Sequence, residues 1–222
     1  MLSTPRAGAE AGSKTPLVRM MALSLVANPL WEVPDDIARA QILPRLRQDP
    51  RYLANNNMML INGPPGDPHG LKIDWRGLKD FPYRIDQMPG ERNAMGVLML
   101  DSPNDFGVYL HDTPGKEVFL PVARQKSNGC IRVEDMSALS ALILADDGQK
   151  DLEPLAQAVS SGETERLTLA KPVPVYLLYW TAIADEDGNV GFRSDFYGRD
   201  KPLLAALAGE RRNSGGSLAL RN

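Results

Sequence analysis

The sequence predicts a mixed α+β fold in which strands outnumber helices. Nineteen glycines and eighteen prolines make up about one residue in six of the 222, which favours turns and short strands over long helices. Apolar residues also gather in short segments that end at turn signals, the longest over residues 173–183. A chain of this length accommodates one substantial domain, or one domain with a small subdomain.

Strands are predicted where apolar or alternating residues stop at a turn signal. They cover residues 17–27, 82–87, 95–100, 108–111 and 173–183. The polar segment 185–189 is typical of a tight turn, so residues 190–192 are predicted to pair with the preceding strand as a hairpin.

Three helices and two loops are predicted between these strands. The helices begin near Asp35 or Asp36, after Pro50 and near Glu134, and Pro44 kinks or divides the first of them. The loops, identified by glycine, proline and polar content, are residues 62–70 and 116–129.

Both ends of the chain lack a clear pattern. Residues 1–14 are small and polar without periodicity and are predicted to be a flexible arm. Residues 205–222 are predicted to be a C-terminal tail, loose at its end. The domain is therefore expected to span residues 15–204.

The charge balance and the lengths of apolar runs argue against two classes of partner. Twenty-five basic and 28 acidic residues give a formal net charge of −3, so no nucleic-acid partner is predicted. No apolar run approaches the roughly 18–20 residues that span a bilayer, and no membrane is required. The apolar segment 20–27 imitates a signal peptide but is short and far from Met1, so a buried strand is preferred to a signal peptide.

Cys130 is the single cysteine, and it lies in a polar segment between Gly129 and Ile131, two residues before Arg132. No intramolecular disulfide is possible, and one thiol with two histidines is a poor ligand set for a metal, so neither metal nor cofactor is predicted. Arg132 favours the thiolate that a nucleophile requires, and Gly129 allows a sharp turn whose amides can face an oxyanion. A small buried thiol without chemistry remains the alternative.

His111 is the natural partner for this thiol, because it ends a predicted strand 19 residues earlier and a base can reach the nucleophile after folding. A strand-end histidine with a structural role remains the alternative. His69 lies in the glycine- and proline-rich loop and is expected to be exposed and without function. If His111 activates Cys130, the rate of acylation is predicted to show an ionisation near neutrality.

Residues 111–114 (HDTP) and 127–132 (SNGCIR) together resemble the signature of the L,D-transpeptidase (YkuD-type) catalytic domain. The likeness extends over roughly residues 15–200 and is strongest to the large periplasmic subgroup of Gram-negative bacteria. The resemblance implies a β-sandwich with a short helix after the catalytic cysteine. It also implies an inserted lid at about 35–88, hinged by its glycine- and proline-rich loop. Since one or two strands usually precede the segment at Thr15, we expect N-terminal strands to be missing.

The resemblance also implies a reaction on peptidoglycan stem peptides. Cys130 would attack the meso-diaminopimelate carbonyl of a tetrapeptide donor and release D-alanine, and the thioester would pass to an amine of an acceptor stem. His111 would be the base, oriented by the backbone carbonyl of Asp112, and the Gly129 and Cys130 amides would form the oxyanion hole. Substrate-site positions carried over from the family are Tyr109, Ser127, Asn128 and Arg132.

Two further expectations follow from the same resemblance. A carbapenem would acylate the cysteine, and the enzyme would work in the periplasm. Two alternatives stay open: a carboxypeptidase or hydrolase of the same fold, in which water takes the acyl group, and a truncated inactive relative that only binds peptidoglycan.

Overall fold

The computed structural model describes residues 2–5, 14–120, 125–149 and 151–213, with backbone only at 2–5, 125–126 and 210–213. The strands are β1 (Leu2–Pro5), β2 (Val18–Ala27), β3 (Trp31–Val33), β4 (Met58–Leu60), β5 (Ile85–Gln87), β6 (Leu98–Asp101), β7 (Leu110–His111), β8 (Gln125–Ser127), β9 (Ile131–Val133), β10 (Glu165–Leu177), β11 (Ala182–Ala184) and β12 (Val190–Phe192). The α-helices are α1 (Asp35–Ile37), α2 (Leu43–Gln48), α3 (Tyr52–Asn55), α4 (Met136–Asp146), α5 (Glu153–Ser161) and α6 (Asp200–Asn213).

Seven strands form one mixed sheet in the order β10-β2-β6-β7-β9-β1-β8. Neighbours are antiparallel except in the β7–β9 and β1–β8 pairs, which are parallel. One face of β6 packs Leu98 and Leu100 into the main core with α4, whereas Met99 and Asp101 line a cavity on the opposite side. This alternation follows from the two-residue period of a strand. The sheet therefore separates a helical core from the cavity.

A second core lies in the segment between β2 and β6. The strands β3, β5 and β4 form their own three-stranded sheet, and α1–α3 pack on it. Trp75 is buried at 2% exposure and stacks on Phe81, while Tyr83 meets both rings edge-on. We call residues 31–87 the insert, because they have a hydrophobic cluster separate from that of the main sheet.

Two buried asparagines hold the backbone next to the insert. Asn93 shares its amide N–H groups among the carbonyls of Pro29, Gln87 and Met88, so one side chain joins the points where the insert leaves and returns. Asn28 has φ of 47°, a left-handed conformation that asparagine tolerates better than most residues. Its amide donates to carbonyls at the end of α5, including that of Ala158 at 2.8 Å.

Most predicted strands are present, with shifted ends. Residues 18–27 form β2, as the preferred interpretation of the apolar segment required, and β11 and β12 form the predicted hairpin around the turn at 185–189. The strand predicted at 173–183 lies instead at Glu165–Leu177, where it pairs with β2 across an irregularity in register. The helix predicted from Glu134 is α4, whose Asp135 side chain accepts from the amide of Ala138.

Four expectations need correction. Residues 2–5 are a strand rather than part of a flexible arm, because their backbone pairs with β9 and β8, and this pairing needs no side-chain pattern. One strand thus precedes β2, where none was expected. The tail predicted from residue 205 begins inside α6, and the loop at 116–129 contains a 3₁₀ turn (Lys116–Phe119) and β8. Residues 6–13, 121–124 and 214–222 lie outside the described residues.

The first helix begins where it was predicted, and Pro44 lies at a junction between helical segments. It begins at Asp35 with Pro34 as the preceding residue, and no side chain caps it. Pro44 does not break it, because a π-helical turn (Ala38–Ile42) comes first and the proline then occupies the first turn of α2. A proline is tolerated there, since the first amides of a helix have no intrahelical partner.

Candidate active site

The parallel pairing of β7 with β9 brings the two sequence motifs together. Leu110 is in register with Ile131, and His111 with Arg132. The amide of Ile131 donates to the carbonyl of Tyr109 at 2.8 Å, which continues the pairing to the residue after Cys130. His111 and Cys130, which are 19 residues apart in the sequence, therefore lie at neighbouring strands of the sheet.

His111 is buried at 4% exposure, and its imidazole has a fixed orientation. Nδ1–H donates to the carbonyl of Asp112 at 2.5 Å, which leaves Nε2 as the nitrogen able to accept a proton. Burial lowers the pKa of His111 from its ordinary value of 6.5 to about 4, and the hydrogen bond to Asp112 offsets this only in part. The resting imidazole is therefore neutral over the physiological pH range.

The carbonyl that orients His111 is itself anchored through the Asp112 side chain. The carboxylate pairs with Lys116 Nζ at 2.5 Å and accepts the amide of Val97 at 3.2 Å. Gly96 approaches so closely that a Cβ there would lie 2.6 Å from the Asp112 Cβ. Lys116 and Gly96 thus help to hold the Asp112 backbone that orients His111. In the sequence, the four-residue spacing of Asp112 and Lys116 was the only sign of this ion pair.

The loop before Cys130 is pinned by hydrogen bonds on both sides of the cysteine. Gly129 has φ of +128°, a conformation that side chains disfavour, although a Cβ would meet only ordinary contact at Val108. The Thr15 hydroxyl donates to the Gly129 carbonyl at 2.9 Å, and the Ser127 hydroxyl donates to the Cys130 carbonyl at 2.6 Å. Ser127 therefore shapes the loop with its hydroxyl.

The Cys130 thiol is held in its protonated form at neutral pH. Burial raises its pKa, and the backbone of Tyr109 and the charge of Arg132 oppose this more weakly. Arg132 does favour the thiolate, as its position in the motif predicts, but burial outweighs it. A neutral imidazole and a neutral thiol therefore form the resting state, and the thiol must lose its proton as it attacks.

Comparison with known proteins decides the family. The sequence model of YkuD, the L,D-transpeptidase catalytic domain, matches residues 2–175. The chain belongs to this family. A Haemophilus influenzae protein named "Putative L,D-transpeptidase" is 30% identical over 194 residues, which cover 87% of this chain and 39% of that protein. The resemblance that the two motifs indicated is confirmed, as is the mixed α+β, strand-rich fold. The chain spans about two fifths of that relative's length.

One wall of a cavity of about 1370 Å³ carries both motifs of the transpeptidase domain. The residues from the sequence motifs that line it are Tyr109, His111, Ser127, Asn128, Gly129, Cys130 and Arg132. Asn128 is exposed there, whereas Ser127 and Gly129 are buried. Asp112 is not part of the lining and acts from behind the wall through its carbonyl.

Residues of the insert line another part of the same cavity. Glu32 of β3 and Asp86 of β5 are register partners, and Arg84 lies 3.9 Å from the Glu32 carboxylate. Burial raises the pKa of Asp86, and the Glu32 charge adds to this, while Arg84 opposes it. The cavity is thus lined on one part by hydrogen-bonded residues of the two motifs, which we call the catalytic wall, and on another by charged residues of the insert, which we call the insert wall.

One expectation about the insert is wrong. His69 is half-buried, and its Nδ1 lies 2.8 Å from the Met58 carbonyl, so it is a structural part of the insert instead of an exposed residue. The loop at 62–70, which was predicted to hinge the lid, is held by contacts of its own. The Asp67 carboxylate accepts two amides, and a Cβ at Gly70 would lie 2.3 Å from the Trp75 ring.

The described residues contain neither a metal-binding group of histidine, cysteine or carboxylate side chains nor a helix long and apolar enough to cross a membrane.

Proposed function

We propose that this domain is a cysteine-dependent peptidoglycan L,D-transpeptidase of the cell envelope. The observation that carries the proposal is the β7–β9 pairing, which lines one cavity with a neutral, oriented His111 and with the Cys130 loop. The family to which the chain belongs supports the same reaction class. The donor is a tetrapeptide stem, whose meso-diaminopimelate carbonyl is the electrophile.

Acylation begins with transfer of the thiol proton to His111 Nε2 while Sγ attacks the donor carbonyl. Because burial raises the thiol pKa and lowers the imidazole pKa, a preformed ion pair is disfavoured, and proton transfer accompanies attack. The amides of Gly129 and Cys130 stabilise the oxyanion of the tetrahedral intermediate. Collapse breaks the bond to D-alanine, whose amine takes the proton from His111, and leaves a thioester.

Transfer reverses these proton movements. An amine of the acceptor stem attacks the thioester carbonyl and gives a proton to His111. The second tetrahedral intermediate expels the Cys130 sulfur, which recovers its proton. The product is a peptide cross-link between two stems, as cell-wall remodelling requires. Arg132, Tyr109 and Asn128 contact the donor from the catalytic wall.

We also propose that the insert covers the bound stems as a lid. Its share in the lining of the cavity that holds Cys130 and His111 supports this role. Motion of such a lid would occur between the insert and the sheet, because the loop at 62–70 is held in place.

Two measurements test the proposed reaction. Intact mass after mixing with a carbapenem should show one covalent adduct, and Cys130→Ala should show none. A folded wild type without an adduct would refute the enzyme and favour a peptidoglycan-binding relative. Purified tetrapeptide muropeptides should then yield cross-linked dimers. Tripeptides as the sole product would show that water takes the acyl group and that the enzyme is a hydrolase instead of a transferase.

A further inference from the structure

The peptide bond between Gly129 and Cys130 contains both the carbonyl of Gly129 and the amide of Cys130. In a planar trans peptide these two groups point in opposite directions. A hydrogen bond that fixes the carbonyl therefore also aims the amide. The Thr15 hydroxyl donates to this carbonyl at 2.9 Å in a buried contact that joins positions 114 residues apart.

We propose that Thr15 is a positioning residue that aims the Cys130 amide at the oxyanion, an inference that rests on the proposed acylation of Cys130. The loop needs such support, since Gly129 has φ of +128° and glycine is the most conformationally free residue. Ser127 and the pairing of Ile131 with Tyr109 hold the following peptide bond. Thr15 supplies the corresponding hold on the peptide bond before the nucleophile.

Thr15 is itself held by the C-terminal part of the chain. Arg199 donates from Nη2 to the Thr15 carbonyl at 3.3 Å, and its guanidinium lies 5.3 Å and 5.1 Å from the ring centroids of Tyr179 and Tyr197. These rings stack at 4.7 Å. Asp195 accepts from the Tyr179 hydroxyl at 2.9 Å and from the Arg199 amide at 3.0 Å.

This support comes from outside the part of the chain that the family model matches. The match ends at residue 175, whereas Tyr179, Asp195, Tyr197 and Arg199 all follow it. The hydrogen bonds thus run from the segment after β10, through Arg199 and Thr15, to the peptide bond of the nucleophile. The segment after β10 takes part in catalysis through position alone.

The experiment compares two reactions of the same sulfur. Acylation by a carbapenem passes through an oxyanion, whereas alkylation by iodoacetamide displaces iodide and forms none. In Thr15→Val, which keeps the shape but loses the hydroxyl, we expect carbapenem acylation to slow about 10- to 100-fold. Iodoacetamide alkylation should stay within about twofold of wild type. Thr15→Ser should restore acylation, since the donor returns.

Ser161→Ala is the control, because the Ser161 hydroxyl also donates to a backbone carbonyl, that of Ala158 at 2.8 Å in α5, and not to the cysteine loop. It should leave both rates within about twofold of wild type. Equal decreases of the acylation and alkylation rates in Thr15→Val would mean that the loop has lost its structure. An unchanged acylation rate would mean that the Thr15 hydroxyl does not position the Cys130 amide. Either result overturns the proposal. A wild type that reacts with iodoacetamide but not with the carbapenem would instead refute the proposed function on which it rests.

Discussion

The two walls of the cavity are built in different ways. The catalytic wall is a hydrogen-bonded array in which the His111 ring and the peptide bonds around Cys130 each have a fixed partner. The insert wall rests on an aromatic and aliphatic core and turns charged side chains toward the cavity. The two walls therefore rest on separate hydrophobic cores. If the proposed function is right, the rate of acylation by a small probe should depend on the catalytic wall far more than on the insert wall.

The largest expected effect separates the two histidines. His111→Gln removes the base, and carbapenem acylation should slow about 10²- to 10⁴-fold. His69→Gln is the matched change in the insert, where Nδ1 of the histidine lies 2.8 Å from the Met58 carbonyl. It should leave acylation within about twofold. Stopped-flow measurement of adduct formation checks both predicted rates. Comparable decreases of the acylation rate in the two variants would show that the catalytic wall and the insert do not differ in their effect on acylation.

A smaller effect is expected from two glycines with positive φ. Gly129→Ala strains the loop at φ of +128° and misaims the oxyanion amides, so acylation should slow about 100-fold. Gly66→Ala imposes strain at φ of +72° in the insert, where nothing lies within 4 Å of the new Cβ. It should cost about 1 kcal/mol of stability without changing the acylation rate. Rates and melting curves of both variants test this, and an unchanged rate in Gly129→Ala would count against the oxyanion hole.

Matched leucine-to-alanine substitutions in the two cores should affect the rates of acylation and cross-linking differently. Leu53→Ala in the insert and Leu144→Ala in the main core each empty a fully buried site and should cost about 2–5 kcal/mol. Below both melting temperatures, Leu53→Ala should lower muropeptide cross-linking about tenfold while carbapenem acylation stays within about threefold. Leu144→Ala should change the two rates together. Parallel loss in both variants would show that the insert has no separate role.

The smallest effect is the response to pH. Since the pKa of His111 is lowered to about 4, the base loses its function only as pH falls through about 4, and acylation should then drop about tenfold per pH unit. Between pH 6 and pH 8 the rate should change less than about twofold. A rate profile across pH 3.5–8 with a midpoint near 7 would show that the imidazole is less desolvated than its 4% exposure implies.

The two motifs indicated the family and the residues of the catalytic wall because each motif is local in the sequence. The predicted ionisation near neutrality conflicts with the lowered pKa of His111, because burial is a property of the folded chain. Thr15 and Lys116 belong to no motif, and their contacts depend on tertiary folding. The strand β1 has no side-chain pattern, since its place comes from backbone pairing. In the insert, the composition of the loop at 62–70 predicted a loop but not its burial against Trp75.

Asn93 has a consequence for how such domains can diversify. Its amide joins the carbonyl of Pro29 to those of Gln87 and Met88, so the two ends of the insert meet at one buried side chain. The entropy of closing a segment between fixed ends grows only slowly with its length. A longer, shorter or differently charged segment joined at these two anchor points would therefore add little to the closure entropy and would leave the backbone that carries Cys130 and His111 unchanged.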